Sequence, residues 1–88
     1  MTLAASYIQH KQNIIDKYLG AEDGIHSLEK IIEARPRLSK AERRIGNYDV
    51  YRKPIGPVIY DRFMNPKIKT IIVYLVDNND SIILYDIY

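Results

Sequence analysis

Two consecutive stretches decide the fold class: Ile68-Lys69-Thr70-Ile71-Ile72-Val73-Tyr74-Leu75-Val76 and Ser81-Ile82-Ile83-Leu84-Tyr85-Asp86-Ile87-Tyr88, separated by Asp77-Asn78-Asn79-Asp80. Both are rich in β-branched residues and tyrosine, which pack well on a pleated surface. The four polar residues between them read as a loop, with Asp77 and Asp80 as turn formers. A loop this short joins neighbouring antiparallel strands. Both faces of the pair are apolar. Ile71, Val73 and Leu75 point one way and Ile72, Tyr74 and Val76 the other; Ile83, Tyr85 and Ile87 are expected opposite Ile82, Leu84 and Tyr88. A sheet packed on one side alternates apolar with polar. Here the second face calls for a cover: a terminus, a loop or another molecule.

Upstream, Tyr48, Val50 and Arg52 alternate with Asp49, Tyr51 and Lys53, the period of a strand. Pro54 and Gly56-Pro57 break it, residues 58–63 read as another strand, and Asn65-Pro66 as a turn. Ser39-Lys40-Ala41-Glu42 has the form of a capping box, which predicts a short helical turn over 40–45 stopped by Gly46. The first third carries helical periodicity. Ala4, Tyr7, Ile8, Lys11, Ile14, Ile15, Tyr18 and Leu19 line one face of a helix over 3–19, with Thr2 as its cap and Gly20 as its exit. Ile25, Leu28, Ile31 and Ile32 line a second, capped by Asp23 and closed near Ala34 by Arg35-Pro36. The expected architecture is a single α+β domain over 1–88, an N-terminal helical hairpin packed on a four-stranded antiparallel sheet.

The chain has 88 residues, 47% of them apolar, and no cysteine, which excludes disulfides, thiolate metal sites and a thiol nucleophile. Its longest apolar run, Ile71–Val76, is too short to span a bilayer. No secretory signal pattern is seen, so the expected compartment is cytoplasmic and no membrane partner is expected. The net charge of +2 hides an uneven distribution: −2 over 1–34, +7 over 35–69 and −3 over 70–88. If the basic middle shares one face, it suits phosphates or an acidic protein; solvation of a connecting segment is the plainer reading.

No glycine-rich phosphate loop, nucleophile elbow or metal-ligand spacing is present, and neither His10 nor His26 has a histidine four residues on. No metal and no cofactor are expected. The chemistry left open is that of cationic and phenolic side chains. Attack of an RNA 2′-hydroxyl on its own phosphate needs a proton acceptor, charge for the phosphorane and a donor to the leaving oxygen. Arg52, Lys53 and Arg62 on adjacent strands are candidates for the charge. Tyr48, Tyr51 and Tyr60 lie among basic residues and are the candidates for contact with a partner, whereas Tyr7 and Tyr18 lie on the helical core stripe.

Two helices, a basic stretch and a terminal antiparallel sheet resemble the RelE/ParE superfamily of toxins from bacterial toxin–antitoxin modules. The local echoes are Arg44-Ile45-Gly46-Asn47-Tyr48-Asp49-Val50-Tyr51, similar to the family's strand entry, and Ile72–Asp77 with Ser81–Leu84, similar to its last hairpin. The resemblance implies a toxin-type protein that acts on ribosome-bound message or on gyrase and is neutralised by an antitoxin. It carries a metal-independent endoribonuclease role onto Arg52, Lys53, Arg62 and Tyr88; the candidates for contact with nucleic acid or a partner, Arg43, Arg44, Tyr48, Tyr51, Tyr60, Lys67 and Lys69, rest instead on the basic middle stretch and the tyrosines within it. Three departures stand against it. The family opens with a β-strand, where this chain reads as helix from the start; Asp49 stands where a basic residue is usual; and the last strand carries Asp86. The alternatives are a non-enzymatic inhibitor of a host protein, phage- or plasmid-type, that uses the sheet face, and a homodimeric structural domain.

Overall fold

The computed structural model describes residues 1–88. It is an α+β protein with two helices, a mixed five-stranded sheet and a separate three-stranded one. In chain order the elements are β1 (Thr2–Leu3), α1 (Ala5–Lys17), β2 (Tyr18–Leu19), α2 (Ala21–Ala34), β3 (Arg43–Ile45), β4 (Tyr48–Pro54), β5 (Ile59–Asp61), β6 (Pro66–Lys67), β7 (Ile71–Val76) and β8 (Ile82–Ile87). The larger sheet runs β1-β8-β7-β4-β3, all antiparallel except β1, which lies parallel to β8; the smaller runs β2-β5-β6.

The four-stranded antiparallel sheet is therefore corrected on both margins. Thr2 does not cap a helix. With Leu3 it pairs with Ile83 and Leu84, and α1 starts after Ala4, whose side chain caps nothing. The run over 58–63 does not join the main sheet. Pro54 ends β4, the Ile55 N–H donates to the Thr70 carbonyl, and residues between them leave the sheet as the β5–β6 hairpin. That hairpin pairs instead with Tyr18–Leu19 between the helices, which is why α1 stops at Lys17. Gly20, at φ 74°, provides the left-handed exit and is itself the cap position of α2, so Asp23 falls inside the first turn.

The capping box forms no helix. Arg43–Ile45 is a strand paired with Tyr48–Val50, and the Glu42 N–H donates to the Val50 carbonyl. The two residues between, Gly46 (φ 58°) and Asn47, make a tight hairpin with glycine first, a turn whose twist matches the strands. The long-range ladder outweighs a local cap worth about 1 kcal/mol.

Both helices pack on one face of the larger sheet. Tyr7 and Ile14 of α1, with Ile25, Leu28 and Ile32 of α2, meet Tyr51 of β4, Ile72, Tyr74 and Val76 of β7, and Ile82, Leu84 and Ile87 of β8 in one core cluster. Ile8 and Ile31, assigned to the packed stripes, are about half exposed instead. Within the core, the Tyr7 hydroxyl donates to Glu29 Oε2 at 2.6 Å, and Lys11 Nζ donates to the same oxygen at 2.9 Å. The helical pair is thus locked by a buried carboxylate with two donors. Burial, then the hydrogen bond to Glu29, holds the Tyr7 phenol far above its ordinary pKa.

The basic middle segment does not form one cationic face. Arg37 binds Asp49 (2.6 Å), Asp80 (2.8 Å) and the Asp77 carbonyl (2.8 Å), and so pins residues 35–42 to the β7–β8 loop. Arg44 binds Asp49 and Asn78. Its hydrogen bonds to Arg37 and Arg44 hold the Asp49 carboxyl below the ordinary carboxylate range, so the folded state binds its proton later than the unfolded one. That contribution is present above the ordinary carboxylate pKa and is lost as pH falls through the depressed value. Arg37→Ala is expected to lower the urea midpoint at pH 7, with the gap to wild type narrowing as pH is brought below the ordinary carboxylate range. Gly46→Ala, which places an L side chain in the left-handed region where nothing obstructs a Cβ, is expected to cost about 1 kcal/mol in the same assay.

Candidate nucleic-acid interface on the open sheet face

The face of the larger sheet away from the helices is not covered by the chain. Cross-strand register places Arg43 beside Val50 and Leu75, and Arg52 beside Val73 and Asp86. These residues, with Ile45, Tyr48, Tyr85 and Tyr88, line an open groove of about 420 Å³. Val50, at its base, is buried yet stands apart from the helix-side core. The groove is thus apolar below, with arginines, tyrosines and one carboxylate above.

One irregularity builds its far end. Val73 pairs with Asp86, but the next residue, Tyr74, pairs with Leu84, so Tyr85 is an extra residue in β8. A bulge resets the alternation after it. The expected grouping of Ile87 with Ile83 and Tyr85 is therefore wrong: Ile87 turns into the core, 1% exposed, and Tyr88 turns to the open side, 46% exposed. The bulge is tied down by α1, where Ser6 Oγ donates to the Tyr85 carbonyl at 2.7 Å. Asp86 Oδ1 also accepts the Ile87 N–H at 2.8 Å.

Tyr88 so placed meets Arg52, whose Nη1 donates to the Tyr88 hydroxyl at 2.8 Å. Arg52 Nε binds Glu42 Oε2 at 2.9 Å, which fixes the guanidinium from behind. Two donors on a held guanidinium suit a phosphate, because the fork matches two of its oxygens. Asp86 brings a partner that the sequence did not suggest. His10 Nδ1 on α1 lies 2.6 Å from Asp86 Oδ1, although the two are 76 residues apart. Spacing along the chain carries no trace of that contact.

The remaining candidates separate into groups. Arg43, Tyr48, Arg52 and Tyr88 line the groove together. Tyr51 does not: it faces the helices, 4% exposed, with its ring stacked on Tyr74 at 5.0 Å. Lys53, one residue beyond Arg52, follows the alternation to the helix side, and Arg44 is on the opposite side of β3 from Arg43. Tyr60 lies on β5 and Lys67 on β6, in the small sheet. Arg62 sits in the turn after β5, against the ring of the exposed Phe63. That turn is organised by Asp61, whose Oδ1 accepts the N–H groups of Phe63 and Asn65. Lys69 is exposed between β6 and β7, and its carbonyl accepts from Lys67 Nζ. The catalytic set of four thus reduces in space to Arg52 and Tyr88.

No helix is long and apolar enough to cross a membrane, and no group of three or more His, Cys, Asp or Glu residues is arranged to hold a metal ion. No protein-family model, curated protein or solved structure matches the chain.

The bulge predicts an outcome of its own. Ser6→Ala removes a hydrogen bond worth about 1 kcal/mol and is expected to speed amide hydrogen exchange at Ile87 and Tyr88 more than at Ile72 or Tyr74.

Proposed function

We propose that this chain is a RelE/ParE-like toxin-type protein whose open sheet face takes single-stranded RNA, ribosome-bound message being the intended form, and that an antitoxin neutralises it by covering the same face. The observation that carries the reading is the Arg52–Tyr88 pair at the end of the groove, a guanidinium and a phenol held 2.8 Å apart on a surface the chain leaves open. The opening strand adds support. The sequence reads as lacking the family's first strand, and Thr2–Leu3 lies before the two helices, parallel to the last strand. Exposed tyrosines at the groove are sequence-tolerant platforms for stacking bases.

The chemistry such a site supports is transfer within the RNA backbone. Asp86, whose Oδ2 has no hydrogen-bond partner in the chain, accepts the proton of a 2′-hydroxyl. The 2′-oxygen then bonds to phosphorus as the bond from phosphorus to the 5′-oxygen breaks. Arg52 stabilises the charge on the phosphorane oxygens, and Tyr88 gives its proton to the leaving 5′-oxygen. The products are a 2′,3′-cyclic phosphate and a 5′-hydroxyl, with no water and no metal consumed.

A second reading rests on the groove's apolar base of Val50, Val73 and Leu75 and on the pairing of Arg52 with Glu42: a non-enzymatic inhibitor that grips a host protein through the same face. Expression in a bacterial host, combined with cleavage of message on isolated ribosomes in the presence of a chelator, separates the two. The toxin reading predicts cyclic-phosphate ends, with Arg52→Ala and Tyr88→Phe each slowing cleavage about a hundredfold and relieving growth arrest. Growth arrest without cleavage that survives Arg52→Ala and is abolished by Leu75→Lys contradicts it and favours the inhibitor.

A further inference from the structure

Tyr88 lines two hollows. On one side lies the sheet groove; on the other, a hollow of about 440 Å³ is walled by His10 and Asn13 of α1, Lys67 of β6 and Tyr88 itself, over Ile14 and Ile87. The polar side chains among the residues that line the second hollow end in an ammonium, an imidazole, a carboxamide and a phenol. All of these donate hydrogen bonds. The nearest carboxylate, Asp86, has one oxygen engaged by His10 and the Ile87 N–H.

Lys67 is the informative member. It is half-buried, and its only hydrogen bond goes to the Lys69 carbonyl at 2.6 Å; no carboxylate pairs with it. Lys11, Arg37, Arg44 and Arg52 pair with acids, whereas the remaining lysines and arginines, the half-buried Lys53 among them, do not; what sets Lys67 apart is its place in the wall of the hollow beside Tyr88. An ammonium taken partly out of water without a counter-charge is disfavoured, and burial accordingly lowers the Lys67 pKa. Lys–NH₃⁺ has three protons, and one is spent on the Lys69 carbonyl.

We propose that this hollow is a second nucleotide subsite, in which Lys67, His10 and Asn13 receive the phosphate adjoining the one held by Arg52, while the strand passes over the ring of Tyr88. The inference rests on the RNA reading of the groove and deepens it: the ligand is a strand at least two phosphates long rather than a mononucleotide. Tyr88 then serves both subsites, its ring as a stacking surface between them and its hydroxyl toward Arg52.

The test is fluorescence anisotropy with labelled oligouridylates, a dinucleotide and a hexanucleotide, against wild type, Lys67→Gln, Lys67→Arg and Arg52→Gln, each checked for folding by circular dichroism. The hexanucleotide is expected to bind wild type at least about tenfold more tightly than the dinucleotide. Lys67→Gln is expected to remove most of that advantage while leaving the dinucleotide unchanged, and to reduce the salt slope of hexanucleotide binding by about 0.7. Lys67→Arg is expected to retain the advantage. If Lys67→Gln leaves hexanucleotide affinity and salt slope at wild-type values while Arg52→Gln weakens both oligonucleotides, the second subsite is overturned and the groove reading survives. If free inorganic phosphate competes fully with the hexanucleotide at Lys67, the hollow is a simple anion site and the strand path is overturned. If wild type binds neither oligonucleotide, the RNA reading itself fails, and the subsite with it.

Discussion

The one extra residue in β8 governs the surface of this molecule. Without Tyr85 in the bulge, strict alternation would send Ile87 outward and Tyr88 into the helix-side core. With it, the last strand closes the core through Ile87 and still presents a phenol to the open face, where Arg52 arrives from β4. The bulge is held from three directions, by the Ser6 hydroxyl, the Asp86 side chain and the burial of Ile87. Such devices are common where a sheet must re-aim a side chain.

Around that pivot, the two faces of the sheet have different tasks. The helix side is a packed core with one buried carboxylate, Glu29, satisfied by Tyr7 and Lys11. Tyr74 is set deep in it, its hydroxyl bonded to the Pro36 carbonyl, and burial pushes its pKa up to about 12. The open side keeps apolar residues at its base and polar ones at its edge. Two of the basic residues of the middle segment, Arg37 and Arg44, are spent on anchoring the chain to itself. Arg37 staples the segment before β3, and Arg44 staples β3 itself, to the β7–β8 loop, and of the arginines only Arg43 and Arg52 reach the groove.

What was legible in the sequence follows the range of the forces involved. The strands Tyr48–Pro54, Ile71–Val76 and Ile82–Ile87 and the end of α2 at Ala34 are written in local periodicity and in Pro36, and they could be read, although β7 starts at Ile71 and not at Ile68. The doubly apolar faces of β7 also pointed correctly to a face the helices leave open. The Gly46-Asn47 hairpin was present as a signal, but Ser39 and Glu42 offered a competing local motif that the ladder with β4 overrode. β1, at two residues, has no period to detect and exists only because β8 is beside it. The bulge, the His10–Asp86 contact and the loss of Tyr51 to the core depend on pairing partners distant in sequence. The candidate site was accordingly legible as to residue type, through Arg52 and Tyr88, and illegible as to which neighbours would share it.

Nuclear Overhauser contacts of the last two side chains in the isotope-labelled protein test this arrangement most directly. The bulge requires the Ile87 methyls to lie near Ile72 and the Tyr88 ring to lie near Arg52 and Val73. A Tyr88 ring in contact with Ile72 or Tyr74, with Ile87 turned to solvent, would mean that β8 runs without the offset and that the Arg52–Tyr88 site does not exist.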